Sequence, residues 1–205
     1  MALCPGRETW DLCDSARGMP AGNAVATQVT VNRAPVLTLW AAVVARRLGF
    51  EREEALTMGR VVAGLNADAK GKALGRYHPR TEAVVRERKR LEPGVVLHVY
   101  LLNRVVPMVR TEAELRALSR DTPVSPESVE RYLQSKFGEM LGPTETAMMR
   151  LARAIPDAEL AAEAYPLYEV FRRQILAGVA GSGAAGILDL EQIRRRAARR
   201  ARVSS

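Results

Sequence analysis

Arginines crowd the last part of this chain. Arg194, Arg195, Arg196, Arg199, Arg200 and Arg202 fall within the run RRRAARRARVSS, with no carboxylate among them. A guanidinium stays charged at any physiological pH and presents a planar fork of donors that matches phosphate oxygens. Such a cluster is suited to a polyanion. If all six reached phosphates of duplex DNA, log affinity would fall against log salt with a slope of about −5, at roughly −0.9 per contact. The alanines between them would let the segment become helical on binding. The alternative is a solvated end that favours solubility and meets anions without specificity. No apolar face accompanies the arginines, so a membrane surface is not the expected partner.

A second set of residues lies on two helices joined by a short link. Gly49 fits a turn glycine, Ala45 a small contact position, and Val44, Leu48, Phe50, Ala55 and Met58 the apolar positions. Over Ala41 to Arg60 this pattern resembles the helix-turn-helix family of DNA-binding motifs. The resemblance implies contacts from Arg46, Arg47, Arg52, Thr57 and Arg60. Glu51 and Glu53 speak against it, because two carboxylates on the reading face would approach a phosphate polyanion. A plain packed helical pair stays open as the other reading.

A third set is NADAKGKALG, Asn66 to Gly75, where Lys70 and Lys72 flank Gly71. Charge and open backbone N–H groups would suit a phosphate, but the spacing is not that of a P-loop. The segment reads as a loop closing the helix before it. Catalytic and metal-binding sets are not found. His78 sits before a proline and His98 within an alternating strand, neither with a ligand partner at metal spacing. Ser182 stands in GSGAAG without the strand and helix of a hydrolase elbow. No cofactor is implied.

These residues need elements to hold them. Thr27 to Val31 alternates and could be a strand. Helices are expected over 35–48, with Leu37, Trp40, Val44 and Leu48 on one face, and over 52–66, with Ala55, Met58, Val62 and Leu65. Asn32 is the candidate cap of the first. A polar helix or connector follows over 81–92. Val95 to Leu102 and Val105 to Arg110 read as a hairpin turning at Asn103-Arg104, with Pro107 placing the second strand at an edge. Thr111 and Glu114 have capping-box spacing, predicting a helix over 111–120. Ser125-Pro126 opens another, carrying Val129, Leu133, Phe137 and Leu141 and broken at Gly142-Pro143. Further helices are expected over 144–154 and over 157–176, the latter capped by Asp157. Tyr165, Tyr168 and Phe171 recur at helical spacing and read as core. Gly178 to Gly186 reads as a linker.

The whole chain, at 205 residues and 47% hydrophobic, suits one domain with a real core. Its net charge is +8, and removing the six arginines of the last run leaves +2 for the rest. Basicity is thus a local property. No secretory or spanning segment is read, and with only Cys4 and Cys13 a disulfide framework is not expected, so a cytoplasmic setting is. The expected organisation is a flexible leader over 1–26, a single mainly helical domain over 27–192, and a basic tail over 193–205. Within that domain, 27–76 holds the helical pair, 77–110 the connector and hairpin, and 111–192 the remaining helices. The class is α+β, mainly α.

The segments NRAPVLTLWAAVVARRLGF, VAGLNADAKGKALG and LYEVFRRQI…AAGILDL resemble a family of bacterial conserved proteins without a named activity. The resemblance covers most of Val31 to Leu190 and implies no catalytic residues. The expected function is non-enzymatic association with nucleic acid, through the helical pair and the basic tail. The alternatives are a protein-interaction or homodimerisation module, and a small-anion-binding or enzymatic domain at the Gly/Lys segment.

Overall fold

The computed structural model describes residues 27–73, 96–111, 114–175 and 185–203. Within them the architecture is α+β and mainly α, with a four-stranded antiparallel sheet and a separate two-stranded ladder. The expectations for 1–26, the connector 81–92, Cys4, Cys13, His78 and Ser182 lie outside the described residues.

Helix α1, Arg33–Arg47, is the hub. It is buried continuously from Pro35 to Ala45, so it has no polar face and is enclosed on all sides. Trp40 anchors it. The indole Nε1 donates to the carbonyl of Ala164 at 2.8 Å, and the ring meets Phe171 edge-on at 5.3 Å. At its end, Gly49 takes φ +98 while Gly49 N donates to Arg46 O and Phe50 N to Ala45 O. This paired arrangement is a Schellman closure, and it turns the chain into helix α2, Arg52–Ala73. Helix α2 runs through the segment expected to be a loop: residues 68–73 are helical.

Strands β2, Val96–Leu101, and β3, Arg104–Arg110, form the hairpin, but its turn is Leu102-Asn103. Both turn residues have positive φ, as a two-residue hairpin requires. The turn is shifted by one because the buried Leu102 side chain, not turn chemistry, sets the register. Strand β3 lies inside the sheet, in the order β2, β3, β4 (Leu115–Ser119), β5 (Thr122–Pro123), so Pro107 is not on an edge strand. Its missing N–H is tolerated because the ladder to β4 ends at Met108↔Ala117.

Strand β4, Leu115–Ser119, replaces the helix expected over 111–120. Thr111 and Glu114 do bond, but across a strand connection. Thr111 N donates to Glu114 O at 2.8 Å, and Glu114 N donates to Thr111 Oγ1 at 3.1 Å. Capping-box spacing here closes a turn. A tight turn at Arg120-Asp121 leads to β5, Thr122–Pro123.

Helix α3, Pro126–Phe137, starts where expected, with Ser125 Oγ accepting from Ser128 N. It ends at Gly138, φ +54, rather than at Gly142-Pro143, which lie in the first turn of α4, Leu141–Arg153. Helix α5, Asp157–Gln174, is not capped by Asp157, whose carboxylate instead pairs with Arg47. Two elements complete the fold: β6, Gly186–Asp189, paired antiparallel with β1, Gln28–Val31, and α6, Leu190–Val203. Helix α6 packs on α4, while α1 touches α2, α3, α4 and α5. The sheet lies on α2.

Candidate nucleic-acid interface

The arginine-rich run forms helix α6, and the sequence explains why it docks. Leu190, Ile193 and Ala197 stand at steps of three and four and are buried, which gives a helix of arginines one narrow apolar seam. Asp189 Oδ1 accepts from Glu191 N at 2.8 Å and Gln192 N at 3.3 Å, satisfying donors that the first turn would otherwise leave open. The expected transition from tail to helix on binding is therefore unnecessary: the helix is already part of the fold.

Seam packing sorts the six arginines. Arg194 and Arg200 lie beside it, half-buried; Arg194 reaches Glu191 at 3.6 Å and Arg200 pairs with Glu163 of α5. Arg195, Arg196, Arg199 and Arg202 are exposed on the opposite face, Arg195 with its Nε donating to Glu191 Oε1 at 3.4 Å one turn back. Arg195, Arg199 and Arg202 form a stripe about 10.5 Å long at 1.5 Å per residue. Arg195, Arg196, Arg199 and Arg200, with Gln192 and Leu167, line a shallow groove of about 350 Å³ against α5. Over α6 the balance is six arginines to one glutamate.

The α1–α2 residues are placed differently. Arg46 pairs with Glu145, Arg47 with Asp157, and Arg52 Nη2 with Glu130 Oε1 at 2.6 Å. That hydrogen bond to Glu130 holds Arg52 above its ordinary pKa. Arg60 lies over the Tyr132 ring, 4.8 Å from its centroid. Arg46, Arg52, Glu130 and Glu145 line one small depression, so the surface beside the start of α2 is charge-balanced. Thr57 is fully buried: its hydroxyl donates to Glu54 O at 2.7 Å and accepts from Ala117 N at 3.0 Å, tying the sheet to α2. It offers nothing to a base edge. Lys70, Gly71 and Lys72 have helical backbone, whose N–H groups belong to the helix ladder instead of an open anion loop.

Among the described residues no group of three His, Cys, Asp or Glu is placed to hold a metal ion, and no helix is long and apolar enough to cross a membrane. A second arginine cluster, Arg33, Arg104 and Arg172, gathers at a cleft on another side of α1. The three come from three elements distant in the chain, and no spacing announces their meeting. No protein-family model, curated protein or solved structure matches this chain.

Proposed function

We propose that this protein associates with nucleic acid without catalysing a reaction, and that α6 makes the contact through phosphates. The observation that carries this reading is the exposed row Arg195, Arg196, Arg199 and Arg202 on a helix fixed by its opposite face. Fixing the helix lowers the entropy cost of presenting the row. Contact with phosphates alone carries no sequence information, so the binding is nonspecific. The α1–α2 pair serves the core and is not the reading element: Arg46, Arg47 and Arg52 already face carboxylates of other helices, which a phosphate would have to displace, and Arg60 lies over the Tyr132 ring.

The test replaces Arg195, Arg196, Arg199 and Arg202 together by Gln, leaving the buried seam intact. Binding to duplex DNA over a salt series should weaken, and the slope of log affinity against log salt should shrink by about 0.9 per lost contact, about 3.6 for all four. Equal slopes for the substituted and natural proteins would overturn the proposal. Replacing Arg46, Arg52 and Arg60 instead should leave the slope unchanged.

A further inference from the structure

The cleft at the start of α1 has no part in the α6 contact. It holds about 360 Å³, within the range of small-molecule sites, between the first turn of α1, the second half of α2, the start of β3 and one face of α5. Its cations are Arg33, Arg104 and Arg172, and no carboxylate lines it among the described residues. The remaining wall is half alanine, with Leu37, Asn66 and the rings of Tyr165 and Tyr168, centroids 6.1 Å apart.

Each arginine is held in place by the fold. Arg33 Nε donates to Ile175 O at 2.9 Å, which pins it to the end of α5. Arg172 Nη1 donates to both oxygens of Glu169, at 2.7 and 2.9 Å. Arg104 Nη2 reaches Asn66 Oδ1 at 3.3 Å, while its Nε is buried with no hydrogen-bond partner. A buried guanidinium N–H left without an acceptor is unfavourable, and an anion that draws the Arg104 side chain toward the cleft would supply one. The helix end adds to the same sign. Asn32 stands at the cap of α1 with extended backbone, yet its side chain makes no capping bond, and Arg33 and Ala34 of the first turn line the cleft. The positive end of the α1 dipole thus borders three guanidiniums.

We propose that this cleft binds a small phosphate ester, its phosphate held by Arg33, Arg104 and Arg172 and its organic part lying against Tyr165, Tyr168 and the alanine wall. Three guanidiniums against one neighbouring carboxylate, Glu169, match a dianion better than a monoanion. The apolar wall matches an ester better than the inorganic ion.

Isothermal titration of the full chain with phenyl phosphate and with inorganic phosphate, in phosphate-free buffer, tests this. The expected result is saturable one-to-one binding, tighter for phenyl phosphate. Arg104→Met should weaken it about tenfold or more, since a hydrogen bond to a charged group is lost. Arg33→Met, at the rim, gives the same readout should Arg104→Met fail to fold. The four-fold Gln substitution on α6 should leave phenyl phosphate binding unchanged, which separates this site from the nucleic-acid contact. The proposal is overturned by any of four results: no saturable binding at millimolar ligand, equal affinity for the two ligands, arginine variants that bind like the natural protein, or displacement of phenyl phosphate by duplex DNA.

Discussion

At Gly59 helix α2 lies directly against the backbone of α1. A Cβ there would stand 2.3 Å from Thr38 O and 3.1 Å from Ala42 N, both backbone atoms of a buried helix. Alanine favours a helix over glycine by about 1 kcal/mol, but overpacking against rigid backbone costs about 1–3 kcal/mol or more, so the steric effect decides the sign. Gly59→Ala should lower the urea midpoint without changing the denaturant slope; an unchanged midpoint would mean the helices can separate freely. Leu102 poses the opposite balance. Its φ of +46 is strained for leucine, at about 1–3 kcal/mol, yet the side chain is buried. Removing a buried leucine costs about 2–5 kcal/mol, so Leu102→Asn should destabilise although asparagine suits the turn. Tyr168 couples folding to alkali. Burial pushes its phenol from 10.0 up to about 12. A raised folded pKa means its contribution is complete below pH 10 and is lost as pH rises toward 12, because the unfolded chain ionises first. Denaturant titrations across that interval should show a smaller loss of stability for Tyr168→Phe than for the natural protein.

At the level of elements, the sequence was most legible where period and punctuation agreed. Helix α3 shows this best, with Ser125 and Pro126 opening it and Val129, Leu133 and Phe137 buried as their spacing implied. The reading failed where one local signal served two structures. Thr111 and Glu114 can close a helix start or a strand turn. The choice fell to β4 because Ala117 is buried in the sheet and donates its N–H to Thr57 on α2, a partner far away in sequence. Helix α6 is only half legible in the sequence: Leu190, Ile193 and Ala197 stand at helical spacing, but the six arginines around them fit a solvated end equally well. Its cap is testable. Asp189→Ala should reduce stability by about 1 kcal/mol, whereas Asp189→Ser should largely restore it. Equal losses in both would assign the effect to β6 rather than to the cap. The cleft arginines were illegible for another reason: Arg33, Arg104 and Arg172 meet only through the packing of α1, β3 and α5.

For the molecule as a whole, the charge surplus and the core meet in one helix. Cutting the chain at residue 193 would remove six arginines, but it would also strip Ile193 and Ala197 from the face of α4. Such a truncation should lose stability, seen as a lower melting temperature, so changes in DNA affinity after cutting mix two causes. Substitution on the exposed face avoids this. The β1–β6 ladder joins Gln28–Val31 to Gly186–Asp189, and Thr27 O accepts from Leu190 N at 2.7 Å. Residues made early therefore wait for residues made late. During synthesis α1 and α2 can pair as soon as both have emerged, but β1 has no partner strand until β6 leaves the ribosome. Closing so long a loop costs entropy before its contacts reward it, which makes docking of β6 and α6 a late step in maturation and leaves one strand edge unpaired until then.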